Sequence, residues 1–152
     1  MKIDLYALAE RFVGTKEVAG HTSNPLVLAM LRLDNDWPLD DEVPWCSAFL
    51  NFLCWLLRLP RSKSLLARSW LDVGRAISLS QATKAFDIVV FARGGTTLDP
   101  NDRKSAGHVG IFAGWTGNQV TVLGGNQGDQ VCIRSFPTSQ VISVRRLYES
   151  PT

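Results

Sequence analysis

The chain has 152 residues, of which 45% are apolar and 20% charged, with a formal net charge of +2. That length suits one domain (1–152, core about 4–147), and the composition is ordinary for a soluble globular protein. So small a charge, with Lys and Arg scattered rather than massed, leaves no basic stripe and excludes nucleic acid as the expected partner.

At the N-terminus, Asp4 and Glu10-Arg11 interrupt any continuous apolar segment, so no signal peptide is expected. The longest apolar run, Phe49 to Leu57, contains Asn51 and is too short to cross a bilayer. Residues 4–14 read as an amphipathic helix with Leu5, Leu8, Ala9 and Phe12 on one face, ended by Gly14. A loop, Gly20 to Asn24, leads to a second helix that Asn24 caps and Pro25 begins, running to about Leu33. An acidic loop, 34–42, precedes Pro44-Trp45-Cys46. With Pro38 inside, no central glycine and no following bidentate Glu, it fails the EF-hand calcium pattern.

Cys46 to about Leu57 is apolar almost all round, the signature of a helix buried between other elements. Leu65 to Val73 gives a short helical segment closed by Gly74. The period then changes: residues 87–91, 108–112, 119–123, 131–136 and 141–144 read as strands, with a hairpin turn signal at Thr116-Gly117-Asn118. Helices first and an antiparallel sheet second make the α+β class.

The three cysteines, Cys46, Cys54 and Cys132, form no CxxC pair and leave an odd one over. This favours reduced thiols in a cytosol. With His21 and His108 the whole histidine complement, no zinc-ligand spacing can be assembled, and neither metal nor cofactor is expected. Cys46 stands out because a helix N-terminus offers unpaired N–H groups and a positive dipole end, which stabilise a thiolate. Cys54 and Cys132 read as structural. A cysteine hydrolase also needs a base and a group to orient it. His108, at a strand start between Gly107 and Val109-Gly110, is the stronger base; His21 lies in a loop. If strands 108–113 and 119–123 form a hairpin, the turn Gly124-Gly125-Asn126-Gln127 lies beside His108. Asn126, with Gln127 as runner-up, is then the expected orienter. Backbone N–H groups near Cys46, from Trp45 or Ser47, are the expected oxyanion donors. Trp45 and Trp70 either wall a substrate groove or pack around the central helix. Glu17 and Asp41 or Glu42 are candidates to line the groove and bind a cationic part of the substrate.

The run Asp41 to Phe49 around Pro44-Trp45-Cys46 resembles the nucleophile segment of CHAP and NlpC/P60-type peptidoglycan hydrolases. Ala67-Arg68-Ser69-Trp70-Leu71, Asp87 to Phe91, Gly107-His108-Val109-Gly110 and Leu123 to Gln127 follow in the order of one bacterial and phage branch. Gly14 to Gly20 and Asn24-Pro25 resemble it too, so the likeness spans roughly residues 10–147. The resemblance implies a papain-like fold and cleavage of an amide bond in the stem peptide of peptidoglycan. It maps the nucleophile onto Cys46, the base onto His108 and the orienter onto Asn126. Phe86 stands where these proteins usually carry glycine, and no wall-binding module is attached.

The expectation is thus a monomeric cysteine amidohydrolase, either an endopeptidase or an N-acetylmuramoyl-L-alanine amidase. It would be made in the cytoplasm and act in the periplasm or cell wall. Two settings fit: a phage endolysin released through a holin, or a secreted antibacterial effector whose producer carries an immunity protein. A transglutaminase- or deamidase-like toxin on the same thiol scaffold is one rival, and a non-catalytic wall-binding module is the other.

Overall fold

The computed structural model describes residues 3–18, 23–41 and 43–150; His21, Gly20 and Glu42 lie outside them. Helix α1 (Leu5–Glu10) is capped by Asp4, whose carboxylate accepts the Ala7 N–H at 2.8 Å, and α2 (Pro25–Leu31) by Asn24, which accepts from Leu26. Both helices are shorter than the sequence pattern suggested. Residues 11–14 leave α1 as a turn, and Gly14, at φ +98°, donates its N–H to the Val131 carbonyl. Helix α3 (Cys46–Leu57) closes on Arg58 in the left-handed conformation. A 3-10 turn (Ala67–Asp72) takes the place of the helix expected at 65–73.

The strands are β1 (Arg75–Ile77), β2 (Asp87–Ala92), β3 (Gly107–Thr116), β4 (Gln119–Gly124), β5 (Cys132–Pro137) and β6 (Val141–Arg146). They form one sheet in the order β1-β6-β2-β3-β4-β5, every paired neighbour antiparallel. The α+β class and the helices-then-sheet layout therefore hold. Strand β1 was not anticipated: three residues at a sheet edge, two of them exposed, carry no apolar pattern to read. The β3–β4 turn is a two-residue Gly117-Asn118 hairpin, with Thr116 opposite Gln119 and Gly117 at φ +55°.

The main core lies between the three helices and one sheet face, where Ile88, Val90, Val109, Ile111 and Leu123 meet α3 and its neighbours. Phe12 of the segment after α1 stacks edge-on against Phe49 and Phe52 of α3. The opposite face buries a second cluster, Val89, Phe91, Phe112, Val120, Val122 and Val144, closed over by Leu79, Phe136 and Val141 among others. Strand β2 is consequently buried on both faces, which explains its unbroken apolar run. Its first residue, Asp87, is fully buried. It accepts two hydrogen bonds from Arg146 at 2.9 Å and two more from Thr83, fastening the approach to β2 against β6. Phe86 packs on Tyr148 with ring centroids 4.9 Å apart. Asp87→Asn should lower unfolding free energy by about 2–4 kcal/mol, because it strips a buried carboxylate of its charge while its donors stay in place. Urea denaturation of the two proteins measures this directly.

Candidate active site

Cys46 opens α3, and the residue before it, Trp45, stands at the N-cap without a side-chain capping hydrogen bond to the helix. The first-turn N–H groups are therefore left to face the thiol, and Ser47 N–H, joined by Val109 N–H from β3, is directed at the sulfur. His108 is the second residue of β3, paired across to Phe91 of β2. Its imidazole lies against Phe91 and Phe136, with centroids 6.3 and 5.1 Å away, and hydrogen-bonds the Cys46 thiol. Cys46 and His108 are each 4% exposed.

Burial alone would push the Cys46 pKa up. The hydrogen bond and charge attraction of His108, with the Val109 and Ser47 N–H groups, outweigh it and leave the thiol below its ordinary value. Burial likewise disfavours the imidazolium, yet the hydrogen bond and charge of Cys46, then the hydrogen bond of Gln127, raise the His108 pKa overall. The two groups shift toward each other, the direction that favours a thiolate beside an imidazolium.

The third member is Gln127. Its Oε1 lies 2.8 Å from His108 Nε2, while its Nε2 donates to the carbonyls of Cys132 (2.7 Å) and Val122 (3.4 Å). A carbonyl can only accept, so the amide has one workable orientation. That orientation makes His108 Nε2 the N–H donor and leaves Nδ1 for the thiol. The amide fits because Gly124 lacks a side chain, while Gly110 makes room for Val122. A Cβ on Gly124 would stand 2.6 Å from Gln127 Oε1, and one on Gly110 would stand 2.7 Å from Val122.

The side chain hydrogen-bonded to His108 is that of Gln127, the runner-up of the sequence reading, rather than Asn126. Asn126 takes the left-handed conformation at φ +56°, and this bend delivers the following side chain to the imidazole. Gln127 is 2% exposed, so it orients the imidazole rather than touching substrate. Other expectations change as well. Trp45 is fully buried against Gly125 and donates its indole N–H to the half-buried Glu17 at 2.7 Å, so Trp45 packs in the core rather than walling a groove. Ser47 is fully buried; its hydroxyl donates to the Ser64 carbonyl and accepts from the Trp70 indole, so it and Trp70 are packing residues, and Ser47 reaches the site through its backbone. Asp41, 1% exposed, accepts the N–H groups of Val18 and Asn24 and ties two loops together. Cys132, read as structural, donates its thiol to the Gln127 carbonyl at 3.2 Å, placing it directly behind the orienter. Nothing in its alternating strand context marks that position in the sequence.

A groove of about 290 Å3 opens at Cys46, lined among others by Trp37, Leu66, Arg93, Lys104 and Gly107. A wider hollow of about 450 Å3 lies at the far end of α3 around Cys54 and Arg61. It holds no activated group, since burial drives the Cys54 thiol up to about 12 against a weaker pull from Arg61.

Among solved structures, NlpC1 from Trichomonas vaginalis superposes with a TM-score of 0.58 at 18% identity. The match covers 96% of this chain but 44% of that one, so this chain spans less than half the length of its structural relative. The fold is of the NlpC/P60 type. No protein-family model matches the sequence, and no curated protein does either. At this identity the NlpC/P60 likeness concerns architecture, and the chemistry rests on the side chains above.

Iodoacetamide should alkylate Cys46 readily at pH 6–7, while Cys54 stays unlabelled in the folded protein; peptide mass spectrometry assigns the sites. Gln127→Ala should slow that alkylation roughly ten- to a hundredfold, the worth of one hydrogen bond to a charged group. Asn126→Ala should have the smaller effect.

Proposed function

We propose that this chain is a cysteine-dependent amidohydrolase that cleaves an amide bond in the stem peptide of peptidoglycan. The observation that carries the reading is the buried Cys46–His108–Gln127 chain at the end of an open groove. Cys46 Sγ, as thiolate, adds to the carbonyl carbon, and the oxyanion is received by first-turn N–H groups of α3. His108 Nδ1–H then protonates the departing amine as the C–N bond breaks, leaving a thioester. Water, deprotonated by the same nitrogen, attacks the thioester, and its collapse returns the thiolate and releases the acid. Gln127 keeps the ring from rotating throughout, because its Oε1 holds the Nε2–H. No other group has to supply or accept protons in this cycle.

The reading of peptidoglycan as substrate combines the NlpC/P60 architecture with the ordered sequence motifs around Cys46, His108 and Gln127. Cys46→Ala and His108→Ala should remain folded and fail to clear purified peptidoglycan. Mass spectrometry of wild-type digests should reveal a new free carboxyl and a new free amine at one stem-peptide bond. Unimpaired clearing by Cys46→Ala would overturn the proposal.

The pH dependence follows from the two opposed shifts. Activity needs thiolate and imidazolium together. With the thiol lowered and the imidazole raised, kcat/KM should plateau across neutral pH. The acid limb should have its midpoint below the ordinary thiol value of about 8.5, and the alkaline limb its midpoint above the ordinary imidazole value of about 6.5.

A further inference from the structure

The 3-10 turn Ala67–Asp72 reaches toward both halves of the reactive pair. On one side the Trp70 indole N–H donates to the Ser47 hydroxyl at 2.9 Å, and Ser47 follows Cys46 directly. On the other, Arg68 Nη2 donates at 3.1 Å to the carbonyl of Ala106, which precedes Gly107 and His108. One short turn thus joins the start of α3 to the start of β3.

Arg68 is fully buried, yet its acceptors are all neutral: Thr96 Oγ1 at 2.9 Å, the Thr97 carbonyl at 2.7 Å and the Ala106 carbonyl. Its Nε and Nη1 have no partner among the described residues. A buried guanidinium held by neutral oxygens, with unmet donors, costs stability rather than adding it. What it supplies is geometry. The Ala106 carbonyl also accepts the Arg93 N–H at 3.2 Å and the Thr96 hydroxyl at 3.0 Å, so three donors converge on it. This node lies just beyond the rungs Ala92–Gly107 and Phe91–His108, and Ala106 and Gly107 also wall the groove at Cys46. Gly107 permits the close approach. A Cβ there would stand 3.1 Å from Arg68 Cγ and 2.8 Å from the Phe91 carbonyl.

We propose that Arg68 is a positioning residue: with Trp70 it makes the 3-10 turn a strut that sets the spacing of Cys46 Sγ and His108 Nδ1. The inference rests on the Cys46–His108 reading and holds whichever amide is cleaved. His108 is faced by Cys46 from α3, by Arg93 after β2 and by Gln127 after β4, and it lines a small hollow with Arg134 of β5. Cys46 and Gln127 raise the imidazole pKa through hydrogen bonds, and the Arg93 charge lowers it. A loosened strut weakens the raising contacts and leaves Arg93 in place. The His108 pKa should then fall and the Cys46 pKa should rise.

The test uses Arg68→Met in the otherwise intact protein, which keeps a long buried side chain and removes the guanidinium. Thermal unfolding should change little, because an unpaired buried charge leaves with its hydrogen bonds. Alkylation of Cys46 by iodoacetamide at about pH 6.5 should nevertheless slow about tenfold, as expected for a reacting group displaced by a fraction of an ångström. The midpoint of its pH profile should move up toward the ordinary thiol value, and histidine NMR should show His108 titrating at lower pH than in wild type. Arg68→Lys keeps the charge without the planar fork and should fall between the two. Thr96→Val removes one acceptor at the node and should slow alkylation about threefold; it carries the test if Arg68→Met does not fold. Asp72→Asn weakens the surface pair with Arg103 on the same loop and should leave the rate within about twofold. A wild-type rate and an unmoved His108 titration in Arg68→Met, or in Thr96→Val where that protein stands in, overturns the strut. Equal slowing by Asp72→Asn overturns it too, since any disturbance of the loop would then suffice. A wild-type Cys46 no more reactive than an ordinary thiol removes the pair itself, whereas a reactive wild type matched by Arg68→Met removes only the strut.

Discussion

One side-chain amide governs the reactive centre. Gln127 is fixed by donating to two backbone carbonyls, and so it can present only an acceptor to His108. That single constraint sets the imidazole tautomer, directs Nδ1 to the thiol, and contributes to the raised pKa that lets His108 hold a proton beside a thiolate. Much of the surrounding structure serves to keep that amide where it is. The chain after α1 runs beside residues 129–131, exchanging hydrogen bonds from Gly14 to Val131, from Val131 to Thr15 and from Glu17 to Asp129. Glu17 then receives the Trp45 indole, which ties the same segment to the residue preceding the nucleophile. The early Gly14–Glu17 motif is thus a clasp between the loop of the orienter and the start of α3.

Comparison of two thiols on one helix isolates what lowers the Cys46 pKa. Cys46 and Cys54 are both buried on α3, eight residues apart. Burial raises both pKa values, but at Cys54 little opposes it, whereas at Cys46 an imidazole and two N–H groups reverse the direction. Helix position supplies the Ser47 N–H; the sheet supplies the imidazole and the Val109 N–H. Neither element alone would overcome desolvation of a buried thiolate, which is why the reactive pair sits where the end of a strand meets the start of a helix.

The groove has a different electrostatic logic from the pair it serves. Arg68 is held under the wall by neutral oxygens, and its contacts brace the segment between β2 and β3 that carries Arg93 and Lys104. Of the acidic residues that sequence placed at the groove, Asp41 is buried and accepts two backbone N–H groups, and the half-buried Glu17 accepts an indole N–H.

The sequence by itself determined the α+β layout, the central apolar helix, the antiparallel strands after residue 86, and Cys46 with His108 as the pair to watch. These follow from periodicity, capping residues and the scarcity of histidine, all of which are local or compositional signals. Tertiary structure decided the rest. Choosing Gln127 over Asn126 depended on a left-handed bend and on which side chain could find carbonyl partners across the turn. Whether Trp45, Ser47, Trp70, Glu17 and Asp41 face solvent or one another depended on burial, which residue type leaves open for each of them. The positive sign of the groove arose from Arg93 and Lys104, eleven residues apart in a polar loop and unremarkable until the chain folds them beside Cys46. A side chain's chemistry is written in the sequence, but its partner across the fold is set by packing.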